Sequence, residues 1–144
     1  MLYSCSYCGQ IHDDADTHRI CPSRPPKDYS KYKRDKQIDK FRWTKEWRAK
    51  REMIGHRDTF CCQICARSLY NTLGRMYNYS EISCHHIESL VDRYDLRLDD
   101  GNLIDVCSMH HKMCEDGEIP RGIQHVIAKE QNKKWEKRLK ENIY

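Results

Sequence analysis

Cys84-His85-His86-Ile87, followed by Asn102-Leu103 and by Cys107-Ser108-Met109-His110-His111, is the spaced run whose reading decides the fold, together with Cys62-Gln63-Ile64-Cys65 upstream. A structural zinc site takes four soft or borderline ligands in a tetrahedron, and two short Cys/His half-sites can close one. On a helix Cys107 and His110, three apart, share a face and join Cys62 and Cys65 around one zinc; His111 is turned by roughly 100° and points elsewhere. His85, His86 and His111 are therefore left for a second, open metal and a proton-accepting base. Of the remaining cysteines nearby, Cys61 can substitute in the knuckle, although it reads with Cys84 and Cys114 as a packing thiol.

Around these residues the pattern is of strand, strand and helix. Residues 82–88 and 102–106 alternate or run apolar over strand lengths, and the loop between them ends in the turn signal Asp99-Asp100-Gly101. A helix beginning after Cys107 completes a ββα unit, and on its first strand His85 and His86 project to opposite sides. Upstream, residues 44–56 read as a helix with Thr44 as N-cap. Trp47, Ile54 and the neighbouring Phe41 and Trp43 offer its apolar faces, while Arg48, Lys50 and Arg51 stay outside. Residues 66–80 give no usable signal. The lysine-rich tail, residues 123–142, carries Ile127, Trp135 and Leu139 at near-helical spacing and reads as a solvated amphipathic helix rather than a DNA reader.

The chain has 144 residues, 38% of them hydrophobic and 33% charged, which predicts one compact, core-poor domain that benefits from staples. Its nine cysteines would be a disulfide framework in a secreted protein. The start Met-Leu-Tyr-Ser-Cys has no basic n-region or apolar h-region and no long apolar stretch follows, so the expectation is a cytoplasmic protein with reduced thiols and no membrane segment. Residues 1–21 then read as a small zinc knuckle of Cys5, Cys8, His12 and Cys21, with His18 the alternative fourth ligand. Residues 22–40 carry seven Lys or Arg against three Asp, a Pro-Pro step and two tyrosines, and read as a basic linker. Lys31, Lys33, Arg34 and Lys36 are its candidate phosphate contacts, since released counterions drive binding to a nucleic-acid backbone. Residues 41–144 form the main domain.

The joint order of Cys62/Cys65, Cys84-His85-His86-Ile87, Asn102-Leu103 and Cys107-x2-His110-His111 resembles the HNH endonuclease family over residues 58–116. The Cys-rich N-terminus and the Phe41-Arg-x-Thr-x2-Trp47 segment look more loosely like small HNH proteins of phages and prophages of Gram-positive bacteria. The resemblance implies an α+β fold: a zinc-stapled ββα-metal (His-Me finger) domain with flanking helices.

It further implies a metal-dependent DNA endonuclease, in which His85 and His111 hold the catalytic divalent ion, His86 is the general base, and Asn102 orients the His86 imidazole by hydrogen bonding. Relatives often have Asp where this chain has His85. A site without a carboxylate suits Mn²⁺, Ni²⁺, Co²⁺ or Zn²⁺ better than Mg²⁺. A phage setting would make terminase or other packaging proteins the partners. The competing reading is a non-enzymatic zinc-binding DNA or protein adaptor of the same fold.

Overall fold

The computed structural model describes residues 2–4, 11–13, 35–70 and 77–141. The chain divides into two compact units, Met1–Arg34 and Asp35–Tyr144. In the first, β1 (Leu2–Ser4) pairs antiparallel with β2 (Ile11–Asp13), Tyr3 opposite His12. Cys5, Cys8, His18 and Cys21 lie outside the described residues, as does the side chain of His12, and so does the expected N-terminal zinc knuckle. Lys31, Lys33 and Arg34 lie outside them too.

The second unit is built of helices around a two-stranded sheet. Its first helix, α1 (Lys36–Arg42), starts inside the stretch expected to be linker: the Asp35 carboxylate caps it by accepting from the Gln37 N–H at 2.9 Å, and Ile38 and Phe41 bury its inner face. Two buried apolar residues among charges suffice once a partner surface covers them. Helix α2 (Lys45–Asp58) is capped as expected by Thr44, whose hydroxyl accepts from the Trp47 N–H at 3.2 Å. Trp47 and Ile54 face the core, whereas Trp43, expected to do so, is 80% exposed.

Helix α2 ends at Thr59 and Phe60, both left-handed with φ of 57° and 50°. The Phe60 N–H donates to the Gly55 carbonyl at 2.7 Å and the Phe60 ring lies across Gly55, where a Cβ would sit 2.2 Å from it. Glycine is therefore required at position 55 for close approach. The reversal delivers Cys61 and Cys62 to the short helix α3 (Gln63–Ala66).

Strands β3 (Ile82–His86) and β4 (Leu103–Cys107) pair antiparallel with His86 opposite Leu103, Cys84 opposite Asp105 and Ile82 opposite Cys107. Two short 3-10 turns, Tyr94–Leu96 and Asp100–Asn102, lie in the connection. Helix α4 (Ser108–Glu115) follows β4 directly, and Gly117, at φ of 79°, turns the chain toward α5 (Arg121–Lys140). Alternation at the start of β4 sends Leu103 and Ile104 to two different cores. One contains Ile64, Ile104, Val106, Ile119 and Ile127, and the other Ile38, Phe41, Trp47, Ile54, Leu90 and Leu103. Helix α5 is not simply a solvated tail, since Gln124, Ile127, Ala128 and Gln131 are buried. The coarse expectation of an α+β domain containing a ββα unit matches this architecture. Among the described residues no helix is long and apolar enough to cross a membrane.

A buried ion pair fixes how these elements meet. Arg57 and Asp58, at the last turn of α2, are both 0% exposed. Arg57 gives Nε and Nη2 to the two Asp58 oxygens at 2.8 and 3.0 Å and Nη2 also to the Leu103 carbonyl at 2.6 Å. Its Nη1 reaches the Asp100 carbonyl at 2.8 Å and Asn132 Oδ1 at 2.7 Å. Asp58 in turn accepts from the Asp105 N–H at 2.9 Å and from Gln131 at 3.2 Å. Removing one partner of such a pair leaves an uncompensated buried charge. Replacing Arg57 with Met is expected to destabilise the domain by about 3–5 kcal/mol in urea unfolding; a loss below about 1 kcal/mol would show the pair to be dispensable.

Candidate functional site

Three elements converge on one buried cluster. Cys62 and Cys65 bracket α3, Cys107 ends β4, and His110 sits one turn later on α4. Their ligand atoms all lie within 4.8 Å of one another. His110 Nδ1 is 3.4 Å from the Cys62 and Cys65 sulfurs and 3.3 Å from that of Cys107, and the Cys65 and Cys107 sulfurs are 4.0 Å apart. Ligands tetrahedral about zinc at ordinary bond lengths stand about 3.5–3.8 Å apart, so the set fits that ion. The four side chains thus form a buried Cys3His cluster able to hold a metal such as zinc, as their spacing predicts. Cys61 is buried, but it points its sulfur toward the Cys62 carbonyl at 3.8 Å rather than joining the set.

Burial raises the thiol of Cys65, and it raises that of Cys62 to about 12 against the opposing backbone hydrogen bonds of Cys65 and Cys107. Without a cation both would keep their protons at neutral pH, so metal binding must release them.

The remaining histidines divide between the two faces of β3. His85 is buried on the face it shares with Ser83, and its ring stands edge-on to that of His111 with centroids 4.8 Å apart. His85 Nε2 meets Gln124 Oε1 at 3.2 Å, while the Gln124 amide nitrogen donates to the Ile119 carbonyl at 2.8 Å. That second bond fixes the amide orientation, so Nε2 of His85 carries the proton and Nδ1 keeps a free lone pair. Burial, then the neighbouring His111, lowers His85 to about 4, and the imidazole is neutral in the physiological range. His111 has Nδ1 2.8 Å from the Ser83 hydroxyl and Nε2 3.2 Å from Glu115. With the carboxylate holding Nε2–H, the unprotonated Nδ1 accepts from the Ser83 hydroxyl.

On the other face, His86 stacks on Trp47 with centroids 4.7 Å apart, and Phe41 stands edge-on to it at 6.1 Å. Its Nε2 donates to the Arg97 carbonyl at 3.0 Å, which leaves the Nδ1 lone pair as proton acceptor. Burial lowers its basicity, with Arg42 adding to the effect and the Arg97 bond opposing it. Asn102 does not hydrogen-bond to this imidazole, contrary to the sequence-based expectation. Its Oδ1 accepts from the Glu88 N–H at 2.7 Å and its Nδ2 donates to the Glu88 carbonyl at 3.2 Å, so it clamps the loop after β3 while the Arg97 carbonyl orients His86.

A cleft of about 890 Å³ is lined by His85, His86, His111, Glu115 and Arg121, with further arginines from α1 and α2. Asp105 also borders it, its carboxyl pushed up to about 7 by burial and then by Asp58. Glu115 brings a carboxylate to His111, a role that follows from its place one helical turn further along α4. Gln124 has no signal in the sequence, because a glutamine in a lysine-rich helix carries no motif. Lys36 stands at the start of α1 and does not line the cleft. Comparison with protein-family models, curated proteins and solved structures gives no significant match.

The purified chain is expected to hold tightly bound zinc at the Cys3His cluster, with affinity rising with pH as thiol protons are more easily released. Elemental analysis checks the content, and thermal unfolding in a strong chelator checks the coupling to folding. Zinc retained in full by a Cys62→Ala, Cys107→Ala double variant would place the metal elsewhere.

Proposed function

We propose that the chain is a metal-dependent DNA endonuclease of the HNH type, hydrolysing phosphodiester bonds in the cleft along β3. The observation that carries the reading is the division of labour across one strand. His85 and His111 lie together on one face, and on the other His86 has one ring nitrogen committed to the Arg97 carbonyl. Hydrolysis of a phosphodiester needs a base for the attacking water and charge stabilisation at the phosphate, and the two faces supply them separately.

His85 and His111 are the residues that would hold the divalent ion. Their donor set, two imidazoles with the Glu115 carboxylate at the second nitrogen of His111, suits Mn²⁺, Ni²⁺, Co²⁺ or Zn²⁺ better than Mg²⁺. Bound there, the ion supplies Lewis-acid stabilisation of charge on the phosphate. His86 takes the proton of the attacking water at Nδ1. Arg97 holds the ring in that orientation, and stacking on Trp47 prevents it from turning toward the metal side. Asn102 keeps the intervening loop, and with it the Arg97 carbonyl, in place through its bonds to Glu88 and to the Leu96 carbonyl at 3.4 Å.

The wild-type chain is expected to nick supercoiled plasmid with Mn²⁺ or Ni²⁺ and more slowly with Mg²⁺. His86→Ala should lower the single-turnover rate by roughly 10²- to 10⁴-fold while zinc content and folding stay intact. A variant within a few-fold of wild type would remove His86 from the base role. DNA binding without cleavage under every divalent ion would favour the adaptor reading instead.

A further inference from the structure

The cleft has basic residues on both sides of β3, and we propose that these grip the sugar-phosphate backbone of the bound DNA on either side of the reacting phosphate. The substrate class rests on the endonuclease reading, whereas the grip is read from side chains that no motif contains. One wall comes from α1 and α2. Arg42 is in the last turn of α1, and Arg48 and Arg51, three apart, share a face of α2; all three are exposed and line the cleft. Trp47, on the same stretch of helix, stacks on His86 and so anchors this wall beside the proposed base.

Among the described residues none of these three arginines forms an ion pair, and Arg48 gives Nη2 only to the Trp43 backbone carbonyl at 3.3 Å. Lys50, Arg67 and Arg93 by contrast each hold an acid, Asp100, Glu130 and Asp95. Glu52, Asp105 and Glu115 also line the cleft; Glu115 is committed to His111, and Asp105 is buried and feels the charges of Arg57 and Arg51. Three guanidiniums that form no ion pair among the described residues and line one opening are a match for a chain of phosphates, whose oxygens take their forked donors.

The second wall is Arg121, the first residue of α5, and it is held rather than loose. Its Nη1 donates to Glu88 Oε2 at 2.8 Å, and Glu88 Oε1 is 3.1 Å from His125 Nε2. His125 Nδ1 is 3.1 Å from the Gly101 carbonyl, and the Glu88 backbone is clamped by Asn102. One donor of five is used on the carboxylate, and the rest of the fork is available to an anion. Glu88 is thus a positioning residue for Arg121, and Asn102 reaches the cleft through it.

The test is binding of a short labelled DNA duplex in a His86→Ala background, which separates affinity from cleavage. Replacing Arg42, Arg48 and Arg51 together with Gln is expected to weaken binding by about tenfold or more and to reduce the slope of log affinity against log salt by roughly 0.9 for each phosphate that is no longer neutralised. Zinc content and circular dichroism report whether the variant has folded, and the matching triple Lys variant should recover most of the affinity.

Arg121→Gln should lower the single-turnover rate of the otherwise wild-type chain at saturating DNA, and Glu88→Gln should do so to a smaller degree. A folded triple Gln variant with unchanged affinity and salt slope would overturn the grip even if the wild type cleaves DNA. Loss of affinity in that variant, with no cleavage by wild type under any divalent ion, would uphold the grip and remove the endonuclease reading.

Discussion

Arg57 and Asp58 hold the second unit in its one arrangement. A charge taken out of water is costly unless every donor and acceptor is met, and here the guanidinium finds acceptors on α2, on the turn before β4, on β4 itself and on α5. Asp58 fixes β4 again through the Asp105 amide. A slip of β4 by one residue would break these bonds together and exchange the two faces of the sheet. Apolar residues of similar volume would stabilise the packing as well; what the ion pair adds is register. The Cys3His cluster and the proposed site both sit downstream of that register, since β4 carries Cys107 at one end and follows Asn102 at the other.

Two histidine-containing clusters then share one small scaffold without competing. Helix α4 presents His110 inward to the thiols and His111, its neighbour, toward Ser83 and His85. Strand β3 repeats the device with a period of two, sending His85 toward α5 and His86 toward α2. Consecutive histidines on regular elements are thereby driven to different neighbours by backbone geometry alone. The tautomers follow from those neighbours: Gln124 and the Arg97 carbonyl each take an Nε2 proton, leaving both strand histidines with an unprotonated Nδ1.

Much of this is legible in the chain because it depends on local periodicity. The i, i+3 spacing of Cys107 and His110, the Thr44 cap and the strand alternation of His85 and His86 are properties of single elements. What is not legible depends on packing between elements distant in sequence. Asn102 binds Glu88 and Leu96, and the residue that orients His86 does so through a backbone carbonyl, which no side-chain pattern announces. Helix α1 has only Ile38 and Phe41 to bury, so its charges mask it as linker, and Trp43 looks like core because aromatic character says nothing of which way a helix junction turns. Gln124 and Arg121 reach His85 and the cleft from α5, a helix whose lysines suggest solvent.

In the proposed site β3 places a metal ligand on one face and a base on the other. Mn²⁺ titration followed by electron paramagnetic resonance tests it most directly, with the Cys3His cluster already filled by zinc. The His86→Ala chain is expected to bind Mn²⁺ as the wild type does and the His85→Ala chain to lose that binding. Equal retention in both variants, or loss in His86→Ala with retention in His85→Ala, would contradict it.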